Sequence, residues 1–283
     1  MSYPKPWIGL DEQLRKLEAR GLLVSDRDKA LEYLKRIGYY RLSGYWFAFR
    51  ERSGVCCVLD ALERIEVALR VDVSHTLGEL DPFAYLQAGL FHRDFSQVQS
   101  GLTRHHEWLG KHAQLIGRSR EEFVTHNKTK YGLPLAIWVA CEVWDFGTLS
   151  TLYGGMREPE QDVIAARYGV RNGWVFATWL RSLNYLRNVC AHHSRWWNRN
   201  IVDQPRLPSA AEMPWVAPFE QNAHARARCY LLLCMVRHLL QVINPTSSLP
   251  KRMRAHLKTF PDLDHLGLNL VGMGAGADWE AQW

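Results

Sequence analysis

Apolar residues recur along this chain mostly three and four positions apart, and no sustained two-residue alternation appears. That spacing marks one face of a helix, not a strand. Leu10, Leu14 and Leu17 share a face, and Gly21 ends the run. Ser25 stands where an N-cap belongs, Asp26 and Asp28 fall in the first turn, and Ala30, Leu31, Leu34 and Ile37 make a stripe that stops at Gly38. Residues 10–38 are therefore predicted to form a helical hairpin. The aromatic run from Tyr39 to Phe49, with Arg41 inside it and Arg50 after it, is either an irregular piece packed on the core or a surface on which bases stack. Leu62, Ile65, Leu69, Val73 and Leu77 predict a long helix over 58–79, broken at Asp81-Pro82. Residues 91–130 are polar and rich in histidine, which predicts one or two exposed helices and a loop. An apolar helix is predicted from Pro134 to about Leu152, ended by Gly154-Gly155, and another from about Trp174. Four prolines (Pro205, Pro208, Pro214, Pro218) make 200–220 a long loop. A last helix covers 221–243 and stops before Pro245, and the Gly-rich stretch from Leu266 reads as a loose tail. The fold class is all-α.

Composition narrows the function classes. An apolar fraction of 47 % is ample for a core and wrong for disorder. A net charge of +6 mildly favours an anionic partner. The six cysteines show neither disulfide spacing nor a zinc-type pair, so buried reduced thiols are expected. The N-terminus has no signal-type apolar core, and the longest apolar run, Cys229 to Val236, is too short for a bilayer. A soluble cytoplasmic protein without a membrane partner is expected. His105 and His112 lie seven apart and share a face, but no carboxylate or thiol stands at ligand spacing. No metal and no cofactor is expected. Walker, dinucleotide-binding, zincin and nucleophile-elbow patterns are absent.

The densest chemistry runs from Leu186 to Arg199: Arg187, Asn188, His192 and His193, then Arg195, Trp196, Trp197 and Arg199. On a helix, Arg187 and His192 stand about 140° and about 7.5 Å apart. They are not on one face, yet a long arginine can still meet an imidazole on one phosphate. Asn188, four before His192, lies on the histidine side. Such a set can cleave RNA without a metal. His192, or equally His193, moves a proton, and Arg187 holds the charge on the pentacovalent phosphate. Arg195, Trp196 and Arg199 could grip phosphates and stack a base, and one of the two tryptophans could instead cap the core. A second arginine–histidine pair, Arg70 and His75, repeats the spacing on the 58–79 helix, where Glu66 can simply pair with Arg70.

These residues resemble a known group. Leu186 to Arg199 resembles the signature of the Abi family of bacterial abortive-infection proteins, with its Arg-Asn pair, Cys-Ala-His-His centre and Trp-Asn-Arg end. Three more blocks agree: Tyr39 to Tyr45, Ile65 to Arg70, and Gly132 to Trp138 followed by Glu142 and Phe146 to Ser150. Trp196 stands where the pattern usually has leucine. The family is in turn similar to the HEPN superfamily, helical bundles that share an arginine, four to six residues and a histidine. Many of these are metal-independent endoribonucleases of phage defence and toxin systems that work as dimers. Others have lost catalysis and bind RNA, and some Abi relatives associate with a small non-coding RNA. The resemblance implies a HEPN-like helical bundle over 55–245, an N-terminal helical and aromatic segment over 1–54 and a C-terminal tail over 246–283. It maps the catalytic motif onto Arg187, Asn188 and His192, with His193 inside the permitted spacing. It implies RNA as the partner and a homodimer; on their own chemistry, Arg195, Trp196, Arg199, Arg70, His75 and Arg41 are the residues expected to contact that RNA. Three functions stay open here: an endoribonuclease of abortive infection, a non-catalytic protein that holds a structured small RNA, and a purely protein-binding regulator, which would show no salt-dependent RNA affinity.

Overall fold

The computed structural model describes residues 9–19, 24–37, 52–99, 101–192, 194, 197, 199–263, 265 and 268–283. It is all-α. Among these residues the extended structure is a two-residue hairpin, Val98–Gln99 against Leu102–Thr103, and a few isolated bridges.

Helices α1 (Leu10–Glu18) and α2 (Arg27–Ile37) form the predicted pair. Leu14, Leu17 and Leu34 bury themselves in a small cluster of their own, separate from the main core. The N-cap shifts by one residue from the expected Ser25. It is the Asp26 carboxylate that accepts the Lys29 amide at 3.0 Å. The aromatic run 39–49, Arg41 included, lies outside the described residues.

The main bundle is built around α3 (Arg52–Leu80), which starts earlier than its hydrophobic stripe. Val58, Leu62, Ile65, Leu69, Val73 and Leu77 are all buried. Helix α4 (Arg104–Arg118) is not the exposed element that its polarity suggests. His105, Trp108, His112, Leu115 and Ile116 face inward at helical spacing. Three of those five residues are histidine or tryptophan, which a hydropathy pattern counts as polar. Helix α5 (Glu122–Tyr131) follows.

The helix predicted from Pro134 to Leu152 is in fact interrupted. A short turn, Ile137–Ala140, and a 3-10 turn end at Trp144, and Asp145 then starts α6 (Phe146–Gly155). The cause is local. Asp145 accepts both the backbone amide and the hydroxyl of Thr148 at 2.7 Å, so it caps a new helix instead of extending the old one. Helix α7 (Glu158–Arg167) had no hydrophobic stripe to betray it, although Pro159 in its first turn favours a start there. Helix α8 (Gly173–Ala191) is the element predicted from Trp174, capped by Asn172, whose side chain accepts from Val175 at 2.9 Å.

The proline-rich loop is present, with two short turns over 214–220. Helix α9 (Cys229–Ile243) starts later than the predicted 221, after a separate turn at Ala223–Arg226. The remainder is not loose. Helix α10 (Leu249–Lys258) buries Leu249, Met253 and Leu257, and Met273 and Ala275 are buried in the main core. The Trp283 indole donates to the Tyr230 hydroxyl at 2.9 Å.

Candidate functional site

Helix α8 carries the arginine–histidine motif in its last two turns. Leu186, Val189 and Cys190 anchor this end in the core. Burial pushes the Cys190 thiol up to about 12, so the cysteine inside the motif is packing and not a nucleophile. Arg187 is half-buried, and Asn188 and His192 are exposed. His192 is the C-cap residue, its backbone amide donating to the Asn188 carbonyl at 3.0 Å. The Arg187 guanidinium turns toward Asn188 and donates to its side-chain oxygen at 3.4 Å. That turn closes part of the angular gap that helix geometry opens between Arg187 and His192.

Beside Arg187 lies a half-buried clamp. Arg70 of α3 donates to Glu66 at 2.7 Å, to the Trp144 carbonyl at 3.1 Å and to Glu142 at 3.3 Å. Its side chain is only 13 % exposed. The Glu66 pairing that the four-residue spacing allowed is the one that forms, so Arg70 has little left to offer an RNA phosphate. Burial pushes the Glu66 carboxyl up, against the pull of Arg70 and then of Arg187. Glu66 thus links the motif electrostatically to the clamp, and spacing along one helix could not have shown this. Helix α6 closes the same side. A Cβ on Gly147 would lie 3.3 Å from both side-chain heteroatoms of Asn184, one turn before Asn188.

The other expected site residues scatter. His75 is exposed, but on a different part of α3, where it lines an open groove of about 680 Å³ with Trp138, Glu79, Glu160, Val163 and Arg167. The structure does not bring it to Arg187. Trp197 is the tryptophan that caps the core: it is 3 % exposed and stacks on Phe260 at 5.8 Å. Arg199 is exposed, with its guanidinium 5.5 Å from the centre of the Tyr185 ring. His193, Arg195 and Trp196 lie outside the described residues.

Two of the three α4 histidines, His105 and His112, are structural. The His105 ring nitrogen bonds the Tyr85 carbonyl at 2.8 Å, and His112 accepts the Trp144 indole N–H at 2.9 Å while stacking on Trp108. Burial holds His112 down to about 4, so it is neutral near pH 7. Cys141, Cys190, Cys229 and Cys234 are buried. Among the described residues no helix is long and apolar enough to cross a membrane.

A family model described as "Abi-like protein" matches residues 55–198, from α3 through the end of the arginine–histidine motif. No curated protein and no solved structure matches the chain significantly.

Proposed function

Because the chain belongs to the Abi-like protein family, we propose that it is a metal-independent endoribonuclease of the HEPN type, acting in abortive-infection phage defence. The observation that carries this reading is the grouping at the end of α8. An exposed imidazole and an exposed amide sit one turn apart, and a guanidinium leans toward the amide. In the proposed reaction the 2′-hydroxyl of one ribose attacks the adjacent phosphorus. His192 takes up the hydroxyl proton or returns one to the leaving 5′-oxygen. Arg187 binds the non-bridging oxygens as charge builds on them, and Asn188 holds the guanidinium toward the phosphate. The P–O5′ bond breaks, leaving a 2′,3′-cyclic phosphate and a 5′-hydroxyl. DNA lacks the attacking group and is not a substrate. His193, beside His192 in sequence, keeps its place as the alternative proton carrier.

His192→Ala tests the reading. It is expected to abolish cleavage of single-stranded RNA while changing RNA affinity by less than about threefold, since the substitution removes a proton carrier and no phosphate-binding charge. Wild-type protein that binds RNA and cuts none of it would show instead a protein that only holds RNA. The reading includes a second copy of the chain. Two proton transfers favour two imidazoles, and a symmetric dimer brings a second motif to the cleft. Sedimentation as a dimer at assay concentration is expected, and a cleaving monomer would remove this part of the reading.

A further inference from the structure

We infer that the exposed edge of α8, together with the proline-rich loop beside it, is a binding track that leads a single RNA strand to His192. The inference rests on the proposed RNase reading and adds to it where the strand lies.

The track follows from helix geometry. At 100° per residue, Trp174, Arg181, Tyr185, Asn188 and His192 fall within an arc of about 60°, and the first and last are separated by about 27 Å of rise. Four of the five are exposed, and Tyr185 is half-buried. Trp174 is 51 % exposed, unusual for a tryptophan. Arg187 lies off this line, on the Glu66 side, and reaches back to it through Asn188.

The loop turns that line into a basic surface. It runs antiparallel to α8 and is fastened to it at successive points. The Arg206 amide donates to the Thr178 hydroxyl at 2.9 Å, the Trp179 indole donates to the Arg206 carbonyl at 2.7 Å, and the Ser182 hydroxyl donates to the Asp203 carbonyl. Thr178 and Ser182 flank the exposed line, so the loop borders it. Arg206 consequently lies over the Trp174 ring at 4.3 Å, and Arg199 over the Tyr185 ring at 5.5 Å. Arg181 stands between these two stacks. All three arginines are exposed, and none has an ion-pair partner among the described residues. Asp203 is the one carboxylate between Arg199 and Arg206 in sequence.

Guanidinium groups alternating with aromatic rings suit a polymer that alternates phosphates and bases. The line is one strand wide, and base stacking needs bases that are free of a duplex. An acidic peptide would meet the arginines but would leave the rings without a purpose.

The test uses the full chain carrying His192→Ala, so that affinity is measured without cleavage. Trp174→Leu, Arg181→Ala and Arg206→Ala are compared by fluorescence anisotropy, with a single-stranded RNA dodecamer and the same sequence as a duplex. Circular dichroism checks each variant for folding. Each substitution is expected to weaken single-strand binding about tenfold. Each arginine removed is expected to lower the slope of log affinity against log salt by about one. The duplex is expected to bind more weakly than the single strand. Folded variants with unchanged affinity and slope would overturn the track, as would equal displacement by polyglutamate or no RNA binding at all. Binding that depends on these residues in a protein that never cuts RNA would leave the track standing and remove the nuclease. Cleavage by wild type together with indifferent variants would do the reverse.

Discussion

At the residue scale, two histidine sets with similar sequence character do opposite things. His192 ends a helix in solvent, whereas His105 and His112 are locked in the core by a carbonyl and an indole. Spacing correctly put His105 and His112 on one face but could not say that the face was inward, because their partners Tyr85 and Trp144 are distant in sequence. Their burial has a consequence for acid stability. The His112 value falls from 6.5 to about 4 on folding. Protonation therefore favours the unfolded chain, and the contribution is fully present above pH 6.5 and is lost as pH falls toward 4. It amounts to about 3 kcal/mol. His105 and His238, also lowered by burial, act in the same direction. Urea midpoints measured across that window are expected to fall steeply for wild type and less steeply for His112→Gln, which keeps an acceptor for Trp144. Parallel slopes would show that His112 does not titrate with unfolding. Arg70 teaches the complementary lesson. Its spacing to His75 copies the α8 motif, yet three acceptors around its guanidinium, two of them on the distant Glu142–Trp144 turn, make it part of the frame.

At the element scale, the helices that announced themselves carry long apolar stripes: α3, α8 and α9. The break at Asp145 and the whole of α7 were hidden because each depends on a local cap or turn and not on a stripe. α7 is nonetheless what fixes the start of α8. Gly173 sits so close to it that an added Cβ would stand 2.4 Å from the Gln161 Cβ and 2.6 Å from its carbonyl carbon. The Gly173 amide also donates to Asp162 at 2.6 Å. Chain entropy alone predicts that Gly173→Ala stabilises by about 0.4–1 kcal/mol. The close approach reverses the sign, and a loss of about 1–3 kcal/mol in chemical denaturation is expected. A gain in stability would mean that the two helices stand farther apart. The same crossing sets the direction of α8, and so sets where its exposed edge and its C-terminal His192 point.

At the scale of the whole molecule, an all-α bundle with an N-terminal helical pair was legible from periodicity, and the resemblance of residue blocks to the family pointed to the end of α8 as the candidate site. The role of the C-terminal residues was not legible. Gly-rich sequence from Leu266 onward suggests freedom, but Met273, Ala275 and the Tyr230–Trp283 bond tie that stretch to α9. The proline-rich loop likewise looked like a connection. Only its side-chain bonds to α8 show that it lines the edge that carries His192. Together these parts leave a helix with one basic, aromatic edge ending in an asparagine and a histidine, which Arg187 reaches from the Glu66 side. We propose that this end cuts RNA by internal attack, with no metal ion taking part. The most direct measurement is to map the termini left on a defined RNA by the purified protein in excess chelator. A 2′,3′-cyclic phosphate and a 5′-hydroxyl, formed at an undiminished rate, are the expected result. A 3′-hydroxyl with a 5′-phosphate, or cutting that stops with chelator and returns with a divalent cation, would contradict it.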